Sequence, residues 1–303
     1  MAERTTGGVR IQPHELLDRA RDVSRRARRS GALVSLDTRL TTLCDGGVPF
    51  VVRVSPNLER KRAAEAAMGE TPQDPLAPPF EADLYVGDVS ETHAAVLNKF
   101  NVLDHHLLLV TRDHAEQTEM LDVDDYEALL VGLAGIDGLA FYNGGPEGGA
   151  SQPHKHLQVV PLSLGPEGPR LPVVELLGQA LAEGAAQAPG LPFRHAVAPV
   201  RAEWIEDPRR YAETAAETAA SLGRALGHDS RVSRQPCPYN LLATRRLMWL
   251  VPRTRAGLPG LPVNALGFAG ALLAMDQAAF EQLRRIGPMS LLTSVGEPWP
   301  HDS

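Results

Sequence analysis

Apolar and polar residues recur with two periods along this chain, and the periods divide it into strands and helices. PFVVRVS, from Pro49 to Ser55, reads as a strand rich in β-branched residues. DLYVGDV, AAVLNKF and HHLLLVTR are three short apolar runs separated by turn-prone residues, which predicts neighbouring antiparallel strands. AFYNGG ends a further strand, PEGGASQP makes a loop, and HKHLQVVPL and LMWLVPR read as two more strands. The helical period predicts a surface helix from His14 to about Ser30, with Leu16, Leu17, Ala20 and Val23 on one side and arginines elsewhere. Asp122 is set to cap a second helix carrying Tyr126, Leu129, Leu130, Leu133 and Ile136, and Asp207 with Pro208 opens a third. A last long helix is expected from about Asn264 to Ile286, followed by a frayed tail, VGEPWPHDS. The proline-dense stretch Gly69 to Asp83 reads as a loop. Leu162 to about Gly190, with one short helix near Val174 to Glu183, reads as a connection between halves. The expected units are residues 1–165, a connection 166–198, and residues 199–303.

At 303 residues, with 43 % hydrophobic and 22 % charged residues, the chain has the length and composition of a folded globular protein. Thirty Lys and Arg against 37 Asp and Glu leave a net charge of −7, so long-range attraction does not bring a polyanion here and nucleic acid is a poor candidate ligand. A small phosphorylated ligand remains compatible, because a few local donors hold phosphates inside an acidic protein. No apolar stretch approaches a membrane span and the N-terminus lacks a secretory pattern, which gives the expectation of a cytoplasmic protein with no membrane partner. Cys44 and Cys237 stand far apart without CxxC spacing, so neither a disulfide framework nor a cysteine zinc site is expected, and both are read as packing residues. The arginines Arg25, Arg26, Arg28 and Arg29 read as a solvated helix face.

One internal echo stands out. NKFNVLDHHLLLVTR (Asn98 to Arg112) and YNLLATRRLMWLVPR (Tyr239 to Arg253) have equal length and the same LV-x-R ending, as two related αβ halves would, although the second half lacks the histidine-rich strand. That strand holds the chemistry. In HKHLQ, side chains at i, i+2 and i+4 share a face, so His154, His156 and Gln158 line up while Lys155 turns the other way. A polar strand edge and a metal site are the alternatives, but glutamine is a poor third metal ligand and no neighbouring cysteine or carboxylate completes a set. The preceding loop, with Asn143, Gly144, Gly145, Gly148, Gly149, Ala150 and Ser151, has small side chains that would expose backbone N–H groups to phosphate oxygens. A neutral imidazole beside such a loop is suited to attack phosphorus, which implies nucleotidyl transfer through a phosphoramidate.

FYNGGPEGGASQPHKHLQVVPL, LNKFNVLDHHLLLVTR and PYNLLATRRLMWLVPR closely resemble the ATP adenylyltransferases, or diadenosine tetraphosphate phosphorylases, of the histidine-triad superfamily, on the branch that includes galactose-1-phosphate uridylyltransferase. The resemblance runs from about Val51 to about Gly296. It implies an α+β fold, mainly antiparallel sheet with packed helices, as two histidine-triad-like halves fused in one chain that could act as a monomer. It also implies His156 as the nucleophile that takes AMP, His154 as its orienting neighbour, and Gln158 on a phosphate oxygen. Asn143 would contact the nucleotide, and Gly149, Ala150, Ser151 and Gln152 would form the phosphate loop. Asn98 and Lys99 match the family's strand-borne Asn-Lys pair, Asn240, Thr244 and Arg245 its YN-x-L-x-T element, and Arg53 a basic residue near the first strand. The implied reaction splits diadenosine tetraphosphate with orthophosphate into ATP and ADP. A divalent cation, Mg2+, would travel with the nucleotide, with no dedicated metal site in the protein. Adenylylsulfate or a sugar nucleotide as donor, and a non-catalytic sensor of diadenosine polyphosphates, are the alternatives at this point.

Overall fold

The computed structural model describes residues 10–55, 74–162, 171–228 and 235–299. The first five positions of the predicted 69–83 loop, residues 163–170 of the predicted connection and the last four residues of the tail lie outside them. The chain begins with a 3-10 turn (Pro13–Glu15) and α1 (Leu16–Ser30), then β1 (Arg39–Asp45) and β2 (Val48–Val54). Next come β3 (Tyr85–Asp88), β4 (His93–Leu97), β5 (Leu107–Thr111), α2 (Val123–Gly135), β6 (Gly138–Gly144) and β7 (His156–Pro161). The later part supplies α3 (Pro172–Ala182), β8 (Ala196–Pro199), α4 (Ala202–Glu206), α5 (Pro208–Ala225), β9 (Tyr239–Ala243) and β10 (Leu247–Pro252). A short β11 (Gly257–Leu258) and β12 (Leu261–Pro262), a 3-10 turn (Ala265–Ala269), β13 (Ala271–Ala274), α6 (Gln277–Ile286) and α7 (Pro288–Val295) complete it.

The expected α+β fold is what forms. One eight-stranded antiparallel sheet runs in the order β3-β4-β5-β7-β6-β9-β10-β8, so the two parts of the sequence meet where β6 pairs with β9. A three-stranded sheet, β1-β2-β13, contains the parallel pair β2–β13 and again joins early and late chain. A cut between residues 198 and 199 falls inside β8, because backbone hydrogen bonding ignores the low-complexity boundary visible in the sequence.

Strand alternation sorts the side chains into two cores. Ala140 and Tyr142 of β6, Leu157 and Val159 of β7, and Met248 and Leu250 of β10 pack under α1, α2 and α5. Leu139 and Phe141, Val160, and Leu247, Trp249 and Val251 face the opposite way, against the small sheet, α3 and α7. The helices start where their caps predict: the Asp122 side chain accepts from the amides of Asp124 and Asp125, and Asp207 from that of Arg210.

The expected long last helix is three elements instead. Gly270, at φ 100°, ends the 3-10 turn in the left-handed region, β13 follows, and α6 starts only at the Asp276 cap. The apolar positions that mimic a helical period in 264–275 serve a turn and a strand. The tail is not frayed up to Glu297: its backbone bonds Pro252 and Arg194, and its carboxylate pairs with the Arg194 guanidinium. Cys237 is half-buried, as a packing residue should be, but Cys44 is exposed on the outer face of β1.

Candidate active site

β7 opens with His156, and its geometry is set by three elements. The His156 Nδ1–H donates to the carbonyl of His154 at 2.8 Å, which leaves the lone pair on Nε2. Burial pushes the pKa of this imidazole down to about 4, against the opposing effect of the His154 carbonyl, so the ring is neutral at physiological pH. Gln158, two residues on and on the same face, accepts at Oε1 from His106 Nε2 at 2.8 Å. The other nitrogen of that ring, His106 Nδ1, faces Asn98 Nδ2 at 3.2 Å, so the chain of donors runs Asn98 to His106 to Gln158. Burial also lowers His106 to about 4, which keeps it in the neutral form this chain requires. With Oε1 occupied, and no bond to the amide N–H groups of Gln158 among the described residues, those groups are left for a ligand beside His156.

His154 does not extend the row in the way strand alternation predicts. Its ring turns to the end of β5, where Nε2 donates to the Thr111 carbonyl at 2.8 Å and Nδ1 meets the Asp74 carboxylate at 2.7 Å. Asp74 also meets His114 Nδ1 at 3.2 Å, and the three ligand atoms lie within 4.8 Å of one another. A carboxylate therefore does stand beside the first histidine, brought from 80 residues away, where the sequence offered none nearby. Lys155 takes the opposite face as expected, inserting its ammonium between Asp125 and the Met120 carbonyl of the helical layer.

Beyond the Phe141–Gln158 pair, β6 and β7 part, and the side chain of Gln117 fills the gap. Its Oε1 accepts from the His156 amide at 2.8 Å, and its Nε2 donates to the carbonyls of Asn143 and His156. A carboxamide there replaces one rung of the ladder and ties the backbone of the histidine to that of the asparagine.

The glycine loop is only partly open. The amides of Gly149 and Ala150 are spent on the carbonyls of Pro146 and Gly145, whereas no such bond engages those of Ser151 and Gln152 among the described residues. Gly149, at φ 93°, lies so close to Val263 that a Cβ would stand 2.7 Å from its carbonyl oxygen. Asn143 Oδ1 accepts from Asn240 Nδ2 at 3.0 Å and from the Ala265 amide at 2.9 Å, which leaves its own Nδ2 as the donor toward the cleft.

The structure thus gathers His156, Gln158, Asn98, Asn143 and residues 149–152, with Asn240 one layer beneath, fully buried. Four expected ligand contacts are elsewhere. The Lys99 ammonium pairs with Glu81 on the exposed side. Arg53 sits on the small sheet, where it donates to Thr38 and where burial lowers its pKa against the attraction of Asp104. Thr244 closes the β9–β10 hairpin with its Oγ1 on the Arg246 and Leu247 amides, about 13 Å of strand from Asn240. Arg245 caps the end of α2 through the Leu133 and Ala134 carbonyls. Residues missed in the sequence are His106, Gln117, Asp74 and Arg253; of these only the paired histidines before β5 carry a visible signal.

Residues 6–179 match the family described as the Ap4A phosphorylase N-terminal domain, and residues 189–298 the ATP adenylyltransferase C-terminal domain. Diadenosine 5',5'''-P1,P4-tetraphosphate phosphorylase 2 of Saccharomyces cerevisiae is 28 % identical over 264 residues, 77 % of this chain and 78 % of that protein. Protein APA1 of the same yeast is 32 % identical over 146 residues, which are 43 % of this chain and 44 % of that protein. Yeast Ap4A phosphorylase Apa2, solved in complex with AMP, superposes with a TM-score of 0.74 at 26 % identity over 94 % of this chain and 98 % of that one.

Proposed function

Since this chain belongs to the Ap4A phosphorylase family, we propose that it is an enzyme that phosphorolyses diadenosine tetraphosphate to ATP and ADP, with His156 carrying AMP between the two. One observation carries this reading: a buried, neutral imidazole holds its proton on Nδ1 and presents an Nε2, beside the Gln158 amide donor, and no described residue occupies either. A relative of the same fold solved with Ap4A supports the choice of dinucleotide, and its complex with AMP fits a site that holds the transferred group.

The chemistry balances in two steps. Nε2 attacks the α-phosphorus in line, the N–P bond forms, the bond from phosphorus to the bridging oxygen breaks, and ATP leaves. Positive charge then develops on the ring, and the His154 carbonyl that accepts from Nδ1–H stabilises it. An orthophosphate oxygen attacks the same phosphorus, the N–P bond breaks, and ADP leaves with overall retention. Gln158 donates to a non-bridging oxygen throughout. Asn143 Nδ2 and the amides of Ser151 and Gln152 hold the phosphates that do not react. The divalent cation, Mg2+, travels with the polyphosphate and shields the charge of the departing ATP.

The test is incubation of the purified protein with diadenosine tetraphosphate and Mg2+, with and without orthophosphate. ATP and ADP appearing together only with phosphate, and a mass increase of one AMP without it that His156→Ala abolishes, are the expected results. Water serving equally well as acceptor, or turnover surviving in His156→Ala, overturns the reading.

A further inference from the structure

The sequence echo ends in two arginines, and the structure treats them differently. Arg112, at the end of β5, forms an ion pair with Asp88, whose other oxygen accepts from Tyr85. Arg253, at the end of β10, is 3 % exposed, and none of its N–H groups reaches a carboxylate among the described residues. All five go to neutral acceptors: Nε to the Val295 carbonyl, Nη1 to the Gly148 carbonyl and Asn240 Oδ1, and Nη2 to the carbonyls of Arg255 and Val263. Its guanidinium stands 5.0 Å from the Phe268 ring centre. A buried charge normally keeps a counter-charge, because desolvation without one is costly.

The missing anion has a direction. Asn240 accepts from Arg253 and donates through Nδ2 to Asn143 Oδ1 and to the Gly148 carbonyl at 2.8 Å; Asn143 then offers its Nδ2 to the cleft. Each amide dipole in that relay is oriented by the cation behind it, which strengthens the last donor. The close approach of Gly149 to Val263, whose carbonyl also accepts from Arg253, lays the loop directly on the same charge. Both described lysines are neutralised elsewhere, by Glu81 and by Asp125.

We propose that Arg253 is the buried cation whose counter-charge is the bound polyphosphate, acting through the Asn240–Asn143 relay as a positioning residue that makes the cleft select for phosphate charge. The inference rests on the reading that the 149–152 loop holds phosphate, and it is tested by binding rather than turnover. Calorimetric Kd values for adenosine, AMP, ADP and ATP are measured on the native protein, on Arg253→Met, on Arg253→Lys, and on Asn240→Asp, which sets a carboxylate of equal size against the guanidinium. In Arg253→Met and in Asn240→Asp the expected loss grows with phosphate number, from less than about twofold for adenosine to about tenfold or more for ATP; Arg253→Lys retains most of the native gain along the series. Equal losses for adenosine and ATP would show a purely structural clamp and overturn the proposal, as would no loss at all. If Arg253→Met does not fold, the contrast between Arg253→Lys and Asn240→Asp carries the same decision. A native protein that gains no affinity from adenosine to ATP refutes the phosphate-site reading itself, which separates that failure from this one.

Discussion

The same face of one sheet is a reaction centre in its first half and solid core in its second. Asn143 of β6 pairs with Asn240 of β9, and from that pair the two halves can be walked outward in step. Two residues along β6, Phe141 pairs with Gln158; two residues along β9, Leu242 pairs with Trp249. Where the first half carries His156 and Gln158, the second carries Val251 and Trp249 at the matching positions. Trp249 is 1 % exposed and packs among Leu242, Val197 and the residues of α3 and α7. The backbones match at those two pairs and then differ, since β9 and β10 stay paired through Val251 and Pro252 while β6 and β7 part around Gln117; the difference in chemistry comes from that opening and from which side chains occupy the inward positions. The two asparagines at the centre belong to both halves: one faces the cleft and the other is held by the buried cation.

The largest expected effect breaks the first half. His156→Ala removes the atom that binds AMP and is expected to lower phosphorolysis by at least about a thousandfold, measured by nucleotide chromatography. The converse change, Val251→His made in the His156→Ala background, places an imidazole at the matching position in the apolar half and is expected to give no AMP adduct by intact mass. Next, Gln158→Leu loses the donor to the transferring group, for an expected fall in kcat of about a hundredfold, together with a stability cost of about 1–3 kcal/mol because the buried His106 Nε2–H loses its acceptor.

Acid should act most on the first half, although burial also lowers the pKa of His195 beside β8 in the second. His156 and His106 titrate near 4 in the folded chain and near 6.5 when unfolded, so the unfolded state binds more protons between those values. Their neutral burial therefore contributes full stability above about pH 6.5, and it is lost progressively as pH falls toward 4. Denaturant midpoints across about pH 4–7 check this, and exchanging His106 for Gln should flatten the dependence.

In the second half the same kind of truncation is a stability event. Trp249→Ala is expected to cost about 3–5 kcal/mol in denaturant unfolding while turnover per folded molecule stays within about twofold. Trp249→Phe should cost far less, within about 1 kcal/mol, because it also removes an indole N–H that has no partner among the described residues. The smallest effect belongs to Thr244→Val, which loses two turn bonds for about 1 kcal/mol and leaves KM for diadenosine tetraphosphate unchanged.

The echo between Asn98–Arg112 and Tyr239–Arg253 aligns β5 with β10, whereas by position in the sheet β10 stands where β7 stands. Any two buried strands ending in a basic residue look alike at this level, because alternation is all that burial demands of them. A similar ambiguity produced the expected helix over 264–286, where Gly270 and Asp276 divide apolar residues that a helical period would also place together.

From the sequence alone the strands and caps of the first half, the HKHLQ row and the nature of the reaction were legible, since a period of two places His156 and Gln158 on one face whatever surrounds them. Only the tertiary structure decided the rest. Which nitrogen of His156 is free depends on the His154 carbonyl, and the orientation of Gln158 depends on a histidine 52 residues earlier. Asp74 reaches His154 across 80 residues, and Arg253 reaches Gly148 across 105. The physical reason is range. Side-chain direction along a strand is a local property of the backbone, whereas the proton positions, the desolvation and the missing counter-charge that make these residues chemical are set by neighbours that only folding brings together.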